Sequence, residues 1–95
     1  MFGSARPIVV KRNHSLQISE LRDRVENIAR ELEESLQIRY SWDGDQLKFD
    51  RLGAHGHIKL DGQEVEIKLV RNPFLPVSDN WLENKINSYL DQHIS

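Results

Sequence analysis

The stretch Ile38-Arg39-Tyr40-Ser41-Trp42-Asp43-Gly44-Asp45-Gln46-Leu47-Lys48-Phe49 decides the fold. Ile38, Tyr40 and Trp42 alternate with polar residues, and Leu47 and Phe49 resume the alternation beyond a glycine-aspartate break. Side chains two apart on an extended chain share a face, so this is an antiparallel hairpin with one apolar side. The turn centres on Asp43-Gly44 or on Gly44-Asp45, and either choice keeps the same residues inward. Further on, Ile58 and Leu60, then Val65, Ile67 and Leu69, continue the meander around Asp61-Gly62. A two-residue turn at Asp61-Gly62 predicts Leu60 opposite Gln63, Lys59 opposite Glu64, Ile58 opposite Val65 and His57 opposite Glu66. That register sets apolar against apolar and cation against carboxylate.

Upstream, Ile8, Val9 and Val10 follow Pro7 and predict a first strand reaching about Arg12. Ile18, Leu21, Val25, Ile28, Ala29, Leu32 and Leu36 then recur at three- and four-residue steps, the signature of an amphipathic helix. Ser19 is the expected N-cap, and Glu20 is an acidic residue in the first turn. The outward face carries Glu20–Arg24, Arg22–Glu26, Glu26–Arg30 and Arg30–Glu34, pairs that support a solvated helix by about 0.2–0.5 kcal/mol each. Downstream, Arg71-Asn72-Pro73 terminates the last strand, and a second helix starts at Ser78 or Asp79. Its apolar side holds Leu82, Ile86, Tyr89, Leu90 and His93, with Trp81 on the flank.

The element order is β-α-β-β-β-β-α. It predicts an α+β, two-layer domain: an antiparallel sheet of about five strands with two helices on one face. Pairing the first strand antiparallel with the last gives the order 2-3-4-5-1, an arrangement that resembles a small helix-grip domain.

Ninety-five residues suit a single domain over 1–95, with residues 1–6 expected as a disordered N-terminal arm. A chain of this size buries roughly 60–70% of its unfolded surface, enough for one core without staples. The sequence contains no cysteine, which excludes disulfides, thiol nucleophiles and cysteine-ligated zinc. No apolar run approaches the ~20 residues of a membrane span, and a cytoplasmic protein without a transmembrane segment is expected. A formal net charge of −2 argues against nucleic acid as a partner. So does parity: Arg39, Lys48 and Arg51 are expected on the polar sheet face, whereas Tyr40, Trp42 and Phe49, needed for stacking on bases, face the core.

Few constellations carry chemistry. His55-Gly56-His57 places two imidazoles on one side of a strand, with Glu66 as a third ligand for a metal-assisted enzyme. Lys59 and Lys68 share that face and oppose a divalent ion, so no metal or cofactor is expected. Ser15 beside His14 lacks an orienting third group and reads as a turn residue. The helix-1 carboxylates, Glu33 and Glu34 among them, lie on a solvated face where they do no acid–base work. Gly53 and Gly56 lie between strands rather than before a helix, so they form no phosphate loop. The remaining candidate is Phe74, Leu75, Val77 and Trp81, more apolar surface than a connector carries. It reads either as a cover over the open end of the core or as an interaction surface for another chain or an apolar body. A second copy of the domain is the simplest such chain, and the unblocked edge strand from Ile38 to Asp43 offers another route to pairing.

Arg39-Tyr40-Ser41-Trp42-Asp43-Gly44-Asp45-Gln46-Leu47-Lys48-Phe49 resembles the R-Y-x-W-x-G-D-x-L-x-F core of the polyhydroxyalkanoic acid system family. His14-Ser15-Leu16 and Val25-Glu26-Asn27-Ile28-Ala29 resemble its upstream segments; Gly53, Gly56, Ile58, Leu75-Pro76 and Ile86 to Asp91 resemble its later half. The resemblance runs from about Val10 to Leu90. It implies a small bacterial protein encoded with genes for polyhydroxyalkanoate, a storage polyester kept as cytoplasmic granules, and it supplies no catalytic residue or cofactor. The expectation is a non-enzymatic accessory protein that binds the granule surface or a granule protein. The alternatives are a carrier holding an acyl chain between sheet and helix, and, more weakly, the metal-assisted enzyme at His55 and His57.

Overall fold

The computed structural model describes residues 7–71 and 77–94. Along the chain run β1 (Ile8–Asn13), α1 (Ile18–Leu36), β2 (Arg39–Asp43), β3 (Gln46–Arg51), β4 (Ala54–Leu60), β5 (Glu64–Arg71) and α2 (Asp79–His93). The strands form one antiparallel five-stranded sheet in the order β1-β5-β4-β3-β2. This is the expected α+β fold, with β1 closing the sheet beside β5 and β2 at the other edge.

Alternation decides which side is covered. Leu47, Phe49, Ile58, Leu60, Val65, Ile67 and Leu69 turn to the helices, where Leu21, Val25, Ile28, Ala29, Leu82, Ile86 and Leu90 meet them. Leu21, Val25, Leu47, Val65 and Leu90 are completely buried. Burying each such side chain contributes roughly 1.5–3 kcal/mol, which makes this seam the main source of stability. Among the described residues no helix covers the opposite face of the sheet, which presents His55, Lys59, Lys48, Asp50, Arg39 and Ser41 to solvent.

The turns explain the registers. Asp43 pairs with Gln46, so the first turn centres on Gly44-Asp45. Only Gly44 there has positive φ, at 62°, the requirement of the first central position of a II′ hairpin turn. The second expected register is corrected. Leu60 faces Val65, Lys59 faces Glu66, Ile58 faces Ile67 and His57 faces Lys68. Asp61 Oδ1 accepts the backbone N–H groups of Gln63 and Glu64, both at 2.7 Å. That makes Asp61 the first corner of the turn and moves its centre to Gly62-Gln63. The shift is two residues, so every side chain keeps its face.

Three further expectations change. Helix α1 starts one residue before the expected cap, with Gln17 at the N-cap and no side-chain capping bond. Helix α2 starts at Asp79, one of the two expected positions, and Ser78 caps it, its Oγ accepting the Trp81 N–H. Gly56 lies inside β4, not between strands, opposite Phe49. A Cβ there would stand 2.0 Å from the Lys68 carbonyl oxygen and 2.8 Å from Phe49 Cζ, so the close approach admits glycine alone. Arg51 belongs to the helix side rather than the polar face: its Nη1 donates to the Leu36 carbonyl at 2.8 Å.

Candidate interaction surface

Both ends of the sheet are defined by its pairings. At one end Arg51 pairs with Ala54 across the Leu52-Gly53 turn, and Ala54 pairs with Arg71. Arg71 Nε donates to Asp79 Oδ1 at 2.5 Å, which brings the start of α2 to the same end. Trp81 is 43% exposed there and Leu52 is 79% exposed. Val77 is half-buried and packs on the core. Of the four residues singled out from the sequence, Val77 and Trp81 therefore flank this end, whereas Phe74 and Leu75 lie outside the described residues. Leu52 was missed. Its signal is a large aliphatic side chain before a glycine in a two-residue turn, where polar residues are usual.

Cations edge this apolar end. Lys85 Nζ lies 5.6 Å from the centre of the Trp81 ring and 5.4 Å from that of Tyr89, within cation–π range. Arg51 and Arg71 stand beside the turn and the helix start, bonded to the Leu36 and Leu52 carbonyls and to Asp79. Between the helices and the sheet lies an apolar cavity of about 50 Å³, lined among others by Leu32, Leu36, Phe49, Leu82 and Ile86. Small-molecule sites start at roughly 300 Å³, so the cavity as it stands does not accommodate an acyl chain.

The aromatic pair of β2 is committed elsewhere. Glu26 on α1 accepts from Tyr40 Oη at 2.7 Å and from Trp42 Nε1 at 2.9 Å, and Arg30 Nε donates to it at 3.1 Å. The Trp42 bond is the foremost cause that holds the Glu26 carboxyl below its ordinary value, against the opposing effect of burial; Tyr40 and Arg30 add to it. Tyr40 is in turn raised, chiefly by its bond to the carboxylate. The Arg22 guanidinium stacks 4.2 Å from the Trp42 ring centre and donates to the Gly44 carbonyl. Glu26 and Arg22 are thus not the solvated pair that their spacing suggested. They fasten α1 to the edge hairpin.

The chemistry-bearing candidates are also placed. His14 Nδ1 accepts the Leu16 N–H at 3.1 Å, and its Nε2 donates to the Asp61 carbonyl at 2.8 Å. Both ring nitrogens are thereby used, Nδ1 within the β1–α1 connection and Nε2 in bracing the β4–β5 turn, and neither is directed to Ser15. On the open face His57 Nε2 lies 3.4 Å from Glu66 Oε1. Among the described residues no three His, Asp or Glu side chains group so as to hold a metal ion. No helix among them is long and apolar enough to cross a membrane.

Over residues 8–94 the chain matches the family described as "Putative polyhydroxyalkanoic acid system protein". Neither a curated protein nor a solved structure matches it.

Proposed function

Because the chain belongs to the polyhydroxyalkanoic acid system protein family, we propose that it is a non-enzymatic accessory of storage-polyester metabolism, docking by its apolar end on the cytoplasmic granule or on a protein there. The observation that carries this reading is the joint exposure of Leu52 and Trp81 at one end of the sheet. An aliphatic polyester offers methyl and methylene groups with ester carbonyls that accept hydrogen bonds and donate none. Large apolar side chains edged by N–H donors such as Lys85 complement that chemistry. Val77 and Trp81, with the Phe74-Leu75 segment that joins them to β5, belong to the proposed contact.

The test is sedimentation of purified protein with isolated granules and with protein-stripped polymer particles. Docking on polymer predicts sedimentation with both, and docking on a granule protein predicts sedimentation with granules alone. Leu52→Ser combined with Trp81→Ser should reduce the bound fraction at least about tenfold, as for loss of two interface anchors. Wild-type protein that stays in the supernatant with both materials refutes the proposal.

A further inference from the structure

We infer that β2 is a self-complementary edge that pairs antiparallel with β2 of a second copy, joining two five-stranded sheets into one. This goes beyond the docking proposal and does not rest on it.

The hydrogen-bond phase of the hairpin supplies the first reason. The two-residue Gly44-Asp45 loop makes Asp43–Gln46 the closing bonded pair, and Ser41–Lys48 and Arg39–Asp50 follow in the same phase. The N–H and C=O groups of Tyr40 and Trp42 therefore point away from β3, along the edge. In an antiparallel pair, residues directly opposite project to the same face, so the two positions must have the same parity. With Ser41 opposite Ser41 of the second copy, Tyr40 meets the other Trp42 in a bonded pair, and each such pair exchanges two backbone bonds. The symmetry axis then passes through the two serines.

Charge selects this register among those parity allows. It sets Arg39 opposite Asp43 of the second copy, twice, in closely spaced non-bonded positions. Within one chain Arg39 already lies 3.5 Å from Asp50, and Lys48 3.4 Å from Asp43. The joined sheets thus carry a row of alternating sign, Asp50, Arg39, then Asp43 and Lys48 of the partner. Shifting the centre to Tyr40 or to Trp42 sets Arg39 or Asp43 against uncharged residues. The Arg39 and Asp43 side chains are 85% and 72% exposed, so both are available. The other edge lacks this property: β1 starts after Pro7 and contains no acidic residue. A symmetric pairing there sets Lys11 or Arg12 against its own copy, or leaves both opposite uncharged residues, and lysine is a usual guard against edge pairing.

The symmetry axis stands perpendicular to the sheet, which sends the two Leu52–Trp81 ends in opposite directions. Such a dimer bridges two surfaces rather than lying on one.

The natural chain has no cysteine, which makes the axis directly testable. Ser41→Cys places two thiols across a non-bonded antiparallel pair, where Cα atoms stand about 4.5 Å apart, within disulfide reach. The measurements are light scattering coupled to size exclusion for the wild-type chain, from about 1 μM to about 1 mM, and the rate of disulfide dimer formation for Ser41→Cys and Asp43→Cys. The expected results are a dimer mass at the upper concentrations and cross-linking at Ser41→Cys at least about tenfold faster than at Asp43→Cys. Adding Asp43→Arg to Ser41→Cys, which sets like charges opposite one another, should slow cross-linking about tenfold. A wild-type chain monomeric at every concentration overturns the inference, as does equal cross-linking at Ser41→Cys and Asp43→Cys.

Discussion

Replacing Glu26 tests whether the edge hairpin is fastened to α1 as the geometry requires. Glu26→Ala deletes the acceptor of Tyr40 Oη and Trp42 Nε1 together with the Arg30 pair. A hydrogen bond to a charged group contributes roughly 1.5–3 kcal/mol when buried. The Glu26 side chain is 27% exposed, so water reaches the orphaned donors and the lower end applies. The Arg30 pair, on a solvated helix surface, adds less than about 0.5 kcal/mol. With two such bonds at about 1.5 kcal/mol each, the sum is a loss of roughly 3–3.5 kcal/mol, or a melting temperature lower by about 12–28 °C in a domain of this size. Glu26→Gln is the informative companion. Its amide oxygen still accepts the Trp42 N–H, and its amide nitrogen donates to the Tyr40 hydroxyl, which changes from donor to acceptor. The charge and the Arg30 bond to that same oxygen position are lost, and the cost falls to about 1 kcal/mol. Urea unfolding followed by far-UV circular dichroism measures both variants. If Glu26→Ala unfolds within about 0.5 kcal/mol of wild type, as an ordinary surface glutamate would, the fastening has no energetic meaning and the argument fails.

Two other outcomes follow from the same geometry. Gly56→Ala drives a Cβ into the Lys68 carbonyl and the Phe49 ring, and should cost more than about 3 kcal/mol in the same unfolding assay; an unchanged midpoint contradicts that packing. Acid should act through Glu26, held low chiefly by Trp42, and Asp61, held low by the Gln63 and Glu64 N–H groups. Because the folded state depresses both, their stabilisation is complete above the unfolded carboxylate values of about 4–4.5 and is lost as pH falls toward the folded values. Stability should therefore stay flat from pH about 7 to about 5.5 and decline below about 4.5, with a shallower decline in Glu26→Gln. An equal decline in that variant and in wild type removes Glu26 from the explanation.

Period-two alternation made the sheet and its covered face legible, because a one-residue error would have turned Leu47, Ile58 and Val65 into water; the place of β1 beside β5 was a choice of pairing that alternation does not fix. A two-residue slip leaves every side chain on its face, which is why hydrophobic pattern did not reveal that Asp61 is a turn corner rather than a turn centre. Helical periodicity marked Glu26 as an outer position, yet its partners lie on β2 and are reached only once the layers stack. Arg51 carries a charge at an inward position, which alternation reads as the strand turning polar. The long side chain resolves the conflict by reaching the Leu36 and Leu52 carbonyls at the end of the core. Of the candidate surface, Val77 and Trp81 stood out as apolar residues near a helix start. Leu52 did not, because a single aliphatic residue in a turn becomes informative only when β5 is seen to end, and α2 to start, beside it.

Fluorine NMR on protein labelled with 5-fluorotryptophan addresses the docking end most directly, since the chain has two tryptophans with opposite roles. Trp42 is held by Glu26 and stacked by Arg22, whereas Trp81 is exposed beside Lys85. Titrating granules into the labelled protein, with Trp81→Phe used to assign the resonances, should shift and broaden the Trp81 signal well before that of Trp42. A Trp81 resonance that stays sharp and unmoved while the protein binds granules would contradict the account.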